Sequence, residues 1–261
     1  MDFAQDLAGK GVVVTGACGV VGRWLVQAFA EAGARLCLTD ANGAALAEMA
    51  ANLPEGSFTH PADLRDAAAI EALVAAIGTR WGAADVVVNN AGVYPSGFLL
   101  DIDAGEWDRI FDINLRAPFL LTRAAARQMI AAGVKGNIIN ISSGAARKMR
   151  RSVVPYCTSK TALDRLTKGF AIELAEYGIR MNALEPGFAA GSTASPLNET
   201  HVQATLAAIP LGRGSSPSDV GNAALYLASS AASYVTGATL TVDGGNSIGS
   251  LAVHQEKKSA L

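Results

Sequence analysis

A doubly wound α/β domain, with a parallel sheet of about seven strands flanked by helices, is what the sequence predicts. Three observations predict it. Short apolar runs, Val12-Val13-Val14, Leu36-Cys37-Leu38-Thr39, Asp85-Val86-Val87-Val88 and Ile138-Ile139-Asn140-Ile141, read as buried strands. Between them lie segments such as Ile70, Leu73, Val74 and Ile77, whose three-and-four spacing reads as the core-facing stripe of a helix. The first strand runs straight into Thr15-Gly16-Ala17-Cys18-Gly19-Val20-Val21-Gly22. Strand, glycine-rich turn and helix start together make a phosphate site, because glycine lets the backbone approach and a helix N-terminus offers unpaired N–H groups.

The composition sets the outer limits. With 261 residues, 50% hydrophobic and 17% charged, the chain is long enough for one well-buried domain. A net charge of -2 points to no nucleic-acid partner. Cys18, Cys37 and Cys157 show neither metal-ligand spacing nor a disulfide framework, which fits a reducing compartment. No apolar stretch approaches the ~18 residues that span a bilayer. The start, MDFAQDLAGK, carries two aspartates and no apolar run, so it does not read as a signal peptide, and the expected location is cytoplasmic, away from membranes.

Taken in order, a helix from about Val21 to Ala32 stops at Gly33, and the second strand ends on Asp40. An acid about 20 residues beyond such a turn hydrogen-bonds an adenosine ribose and repels a 2'-phosphate. With no Lys or Arg between Arg35 and Arg65, NAD is favoured over NADP. Asp40 also reads as a cap for a helix over Ala44 to Asn52. A short third strand near Ser57 to Thr59 precedes Asp63-Leu64, and Asp63 by itself reads as a cap for the helix from Asp66 to Trp81. Asn89-Asn90-Ala91-Gly92 closes the central strand.

One long helix is expected from Asp103 to Ala132, with Asn114 and Pro118 four residues apart. Proline has no N–H, so the helical bond to the carbonyl of Asn114 cannot form there. Ser143 follows the next strand, and Tyr156 and Lys160 lie one turn apart on a helix running to about Tyr177. A cation beside a phenol favours the phenolate, and a shift of roughly three units makes Tyr156 an acid or base near neutral pH. Arg147, Lys148, Arg150 and Arg151 crowd the loop before it, an anion site or a solvated or subunit-contacting run. Cys157 points round the helix and reads as packing. A sixth strand leads to Glu185-Pro186-Gly187, a lid follows over about 190–214, and a helix starts at Ser216-Pro217. Thr239 to Val242 is the last strand, the domain closes at 246, and a tail covers 247–261.

Together the turn from Thr15 to Gly22, the NNAG run from Asn89, Asn114, Ser143, the YxxxK of Tyr156 and Lys160, and VDGG from Val242 to Gly245 resemble the short-chain dehydrogenase/reductase family over nearly the whole chain. The glycine turn departs from the family's single-domain branch, since Val20 stands where a glycine is usual. The resemblance implies a single Rossmann-type domain interconverting a secondary alcohol and a ketone. It places Asn114, Ser143, Tyr156 and Lys160 in catalysis, Asn114 holding a water in a relay to the lysine. It places Gly16, Gly19, Val21, Gly22, Asp40, Asp63, Leu64, Asn90, Ala91, Gly92, Tyr156, Lys160, Pro186, Gly187 and Ala189 against the cofactor, and no metal is implied. Beyond PG a Thr normally meets the carboxamide; here Ala189 and Gly191 stand nearby, and the nearest hydroxyls are Ser192 and Thr193. Tyr94, Ser143, Ala145, Arg147 and Arg150 are expected around a substrate that is anionic if the basic loop faces it. A homo-tetramer built on the long fourth and fifth helices is also implied. Two rival readings stay open: an NADPH-dependent 3-oxoacyl-[acyl-carrier-protein] reductase, and a dinucleotide-sensing regulator without turnover.

Overall fold

Runs of two to seven mostly buried residues become strands β1 (Gly11–Thr15), β2 (Arg35–Thr39), β3 (Phe58–Thr59), β4 (Val86–Asn89), β5 (Asn137–Ile141) and β6 (Arg180–Pro186), and a half-buried one becomes β7 (Thr239–Val242). All pair in parallel, in the order β3-β2-β1-β4-β5-β6-β7. The computed structural model describes residues 3–191, 198–249 and 251. The helices are α1 (Ala4–Leu7), α2 (Val20–Glu31), α3 (Gly43–Ala50), α4 (Ala67–Trp81), α5 (Ala104–Phe111), α6 (Ala117–Ala132), α7 (Val154–Leu174), α8 (Glu199–Ala207) and α9 (Pro217–Ala228).

Strand alternation sorts the core into two layers. Val13, Val87, Ile138 and Met181 face α4, α6 and α7, while Val12, Val14, Val86, Val88, Ile139 and Ile141 face α2 and α9. Each fully buried aliphatic side chain contributes about 1.5–3 kcal/mol. The chain winds from β1 outward to β3 and returns to β4 beside β1, so the crevice at the carboxyl ends of β1 and β4 is the topological switch point.

Three expectations are corrected locally. The helix from Asp103 to Ala132 is not continuous: α5 ends at Phe111, a π-helical turn spans Asp112–Arg116, and the Ala117 N–H reaches five residues back to the Asp112 carbonyl. Pro118 supplies the reason, since without its N–H the i to i+4 ladder breaks at Asn114 and the wider turn takes its place. Asp40 does not cap α3; Asn42 does, accepting from Ala45 N at 3.1 Å. Asp63 does not cap α4 either, because Asp66 accepts from Ala68 N at 2.9 Å.

Candidate active site and cofactor cleft

At the switch point a cleft of about 620 Å³ runs between the glycine turn and the end of β6. Thr15 ties its floor together: its hydroxyl accepts from the N–H groups of both Asn90 and Ala91 at 2.9 Å and donates to the Val88 carbonyl at 3.3 Å. Asn90 in turn donates to the carbonyls of Thr15 and Gly16 at 2.9 and 3.0 Å. Asn89 faces the interior, donating to Thr122 at 3.1 Å and to Asn140 at 2.8 Å, so it braces β4 against β5 and α6. Gly16 has φ +61, and a β-carbon there would stand 2.7 Å from the Ala91 backbone. At Gly22 it would fall on the Gly16 carbonyl oxygen. Glycine at these two positions keeps the turn flat against the sheet, with the N-terminus of α2 opening on the cleft. Val20 is the first residue of α2, so its side chain is accommodated by starting the helix there.

Asp40 stands at the far end of the cleft. Its carboxylate accepts from Cys18 N at 3.0 Å and Asn42 N at 2.9 Å, holding the glycine turn to the end of β2. Asp63 also lines the cleft, forked onto by Arg65 at 2.6 Å, which holds its carboxyl below the usual carboxylate range. Every residue expected against the cofactor, from Gly16 to Ala189, lines this one cleft. The residues present fit a dinucleotide: two positions where only bare backbone fits, a helix N-terminus, and an acid at the opposite end. Among the described residues no cluster of His, Cys, Asp and Glu could hold a metal, and no helix is long and apolar enough to cross a membrane.

At the other end, Ser143, Tyr156 and Lys160 converge. The Ser143 hydroxyl lies beside the Tyr156 phenol, whose proton affinity it lowers, and accepts from Ala145 N at 3.2 Å. Lys160 is buried and donates to the Ile141 carbonyl at 2.8 Å, which places its Nζ 5.8 Å from the Tyr156 ring centroid. A β-carbon at Gly92 would stand 3.3 Å from Asn114 Oδ1 and 3.6 Å from Lys160 Nζ, so the bare glycine lets these two side chains meet the NNAG turn together. Asn114 is fully buried behind that turn. It accepts from Val93 N at 2.8 Å, and it donates to the Val93 carbonyl at 3.0 Å and to Ser159 at 3.1 Å. Its side chain is spent on structure, and its main-chain carbonyl has no i+4 donor because Pro118 carries no N–H.

The electrostatics differ from the expectation. Tyr94 packs edge-on against Tyr156 at 4.6 Å, and Ala145, Val153 and Cys157 complete an apolar collar. Burial pushes the Tyr156 phenol up to about 12, against the Ser143 hydrogen bond and Arg150, which pull it down. Burial also brings Lys160 down to about 8, opposed by Asp164. The expected lowering of the phenol by Lys160 is not found: burial dominates at Tyr156, and the cation that pulls it down is Arg150.

The basic loop divides. Arg147 does not line the cleft; it reaches Glu185 at 2.7 Å, Thr241 at 2.9 Å and Ser247 at 2.7 Å. Glu185 is 0% exposed, and burial holds its carboxyl above the usual range against the bonds from Thr241 and Arg147. The Arg147 clamp ties the loop that follows Ser143 to β6 and β7. Glu185→Ala removes the carboxylate that accepts from both Arg147 and the Thr241 hydroxyl, leaving Arg147 on Thr241 and Ser247, with an expected loss of about 1 kcal/mol. Urea unfolding of the variant checks this, and an unchanged midpoint counts against the clamp.

Phe188, His201, Asp243, Asn246 and Ser247 also line the cleft and were not singled out as site residues from sequence. Only the VDGG run signalled one of them, Asp243. Ser192 and Thr193, and the tail residues His254, Glu256, Lys257 and Lys258, lie outside the described residues.

The sequence model of the enoyl-(acyl carrier protein) reductase family matches residues 16–247. Sorbitol dehydrogenase of Cereibacter sphaeroides is 34% identical over 252 residues, 92% of this chain and 98% of that protein. The chain belongs to the short-chain dehydrogenase/reductase family. Another relative of this short-chain dehydrogenase, galactitol 2-dehydrogenase (L-tagatose-forming) of the same organism, is 37% identical over 247 residues, 93% of this chain and 96% of the relative. The crystal structure of a gluconate 5-dehydrogenase from Burkholderia cenocepacia J2315 in complex with NADP and tartrate superposes with a TM-score of 0.86 at 31% identity, covering 94% of this chain and 98% of that one.

Proposed function

We propose that the chain oxidises a secondary alcohol to a ketone, reversibly, with NAD as its preferred cofactor. The observation that carries this reading is Ser143, Tyr156 and buried Lys160 brought together in a cleft that ends on Asp40. Tyr156 takes the hydroxyl proton, and Ser143 donates to the oxygen as it becomes the carbonyl. Bound NAD+ supplies the acceptor for the hydride that leaves the same carbon. Lys160 holds the nicotinamide ribose and passes the proton taken up by Tyr156 on toward a water held at Asn114. Turn, Asp40, Asp63, Asn90 and the Pro186-Gly187 corner hold the dinucleotide. The relatives named as polyol dehydrogenases support a polyhydroxy substrate.

The cofactor preference rests on charge. A 2'-phosphate beside Asp40 meets a carboxylate; of the cations on that side, Arg23 is engaged with the Cys18 carbonyl at 3.0 Å and Arg65 with Asp63. Like charges brought together cost several kcal/mol. Asp40→Ser is expected to move the NAD+ over NADP+ ratio of kcat/KM toward NADP+ by on the order of 10²-fold. Paired cofactor titrations on wild type and variant test this; a wild type that prefers NADP+ overturns the assignment and brings the acyl-carrier reductase forward.

The 1–246 domain, a substrate lid over about 190–214 containing α8, a cytoplasmic location and a homo-tetramer complete the proposal. Trp107, Phe119 and Ile172, exposed on α5, α6 and α7, support association through the long helices.

A further inference from the structure

The four cations between Ser143 and Tyr156 have separate fates. Arg147 is bound to Glu185 at 2.7 Å. Arg151 lies 5.5 Å from the centroid of the Phe98 ring, and Lys148 is exposed outside the cleft. Arg150 is half-buried, lines the cleft beside Tyr156, and forms no ion pair among the described residues.

Nearby acids do not answer it. Asp243 accepts from Gly245 N and Ser247 N at 2.9 Å each, while Asp40 and Asp63 belong to the other end of the cleft. His201, on α8, lines the same cavity and adds a second nitrogen-bearing side chain. A guanidinium offers five donors and no acceptor, and a partly desolvated one is best satisfied by an anion taken in two-pronged fashion.

We propose that Arg150 determines substrate class: the alcohol oxidised at Tyr156 carries an anionic group, a carboxylate or a phosphate on a polyhydroxy chain, and Arg150 holds that group. This deepens the oxidoreductase reading and rests on it. Neutral polyols, the substrates named for two relatives, are then the poorer class for this chain.

The experiment uses matched probes on the full chain with saturating NAD+ and, separately, NADP+: four- to six-carbon alditols, the aldonates of the same carbon skeletons, and glucitol 6-phosphate. Wild type is expected to favour an anionic member over its neutral partner by about 30-fold in kcat/KM, carried by KM. In Arg150→Gln that ratio collapses toward one, and Arg150→Lys restores part of it, which a merely structural role would not do. Aldonate preference identifies the carboxylate as the source, and preference for glucitol 6-phosphate identifies the phosphate. If alditols turn over with no anionic preference, or Arg150→Gln lowers both classes alike, the proposal is overturned while the alcohol oxidation stands. If no secondary alcohol in the panel is oxidised, both fall.

Discussion

Tyr156→Phe is expected to lower kcat for alcohol oxidation by about 10³-fold or more, within the range assigned to a positioned general acid or base. The fold should survive, because the ring keeps its edge-on contact with Tyr94 and its seat against Ala145, Val153 and Cys157. Cofactor affinity should change little, so a calorimetric titration with NAD+ separates lost chemistry from lost binding. A variant within tenfold of wild type removes Tyr156 from the mechanism. A wild type that binds NAD+ without turning over any alcohol makes the chain a dinucleotide sensor instead.

The pH dependence follows from the same residue. With its phenol pushed up to about 12 by burial, Tyr156 is protonated across the neutral range. Oxidation needs the proton gone, so kcat/KM for the alcohol rises as pH rises. Ketone reduction uses the protonated phenol and does not share that rise. Steady-state profiles in both directions over the same buffers show the contrast, and parallel profiles contradict the assignment of Tyr156 as the titrating group.

The second large effect belongs to Gly22. In Gly22→Ala the new β-carbon lands on the Gly16 carbonyl oxygen and 2.9 Å from the Ala17 Cα. These are backbone atoms, so no flexible side chain can yield. Either α2 moves off the turn or the turn opens, and in both cases the helix N-terminus loses its aim at the phosphate site. Strain of this kind costs typically 1–3 kcal/mol, and NAD+ affinity should fall by on the order of 10²-fold. Gly19→Ala is the contrast: φ there is -71, and its β-carbon would meet the Gly16 oxygen at 3.4 Å, an ordinary contact. Calorimetry on both variants tests the difference; equal losses at the two positions contradict the steric account.

Much of this chain is legible without coordinates, and the failures are instructive. The strand at Val12, the helix stripe at Ile70 to Ile77 and the glycine turn are local patterns, and each appears where periodicity puts it. Asn114 and Pro118 pointed to an interrupted helix bond, yet not to a full π-helical turn, because the size of the insertion depends on what Asn114 reaches across to at Val93 and Ser159. Asp40 was readable as an acid at a strand end. That Asn42 takes the capping role, freeing Asp40 to hold Cys18, depends on how the loop turns back.

The linear sequence by itself determined the strand and helix alternation, the family, and which residue types stand at the carboxyl ends of β1, β4 and β5. Those properties rest on spacing along the chain and on glycine and proline chemistry, which act over a few residues. Only the tertiary structure decided which of four neighbouring cations faces the cleft and what proton affinity Tyr156 has. Arg147 is withdrawn by partners 38, 94 and 100 residues away, and the phenol of Tyr156 is raised by burial against Tyr94 from another loop. Charge pairing and desolvation are set by distance through space, and the order of residues along the chain carries little of that information.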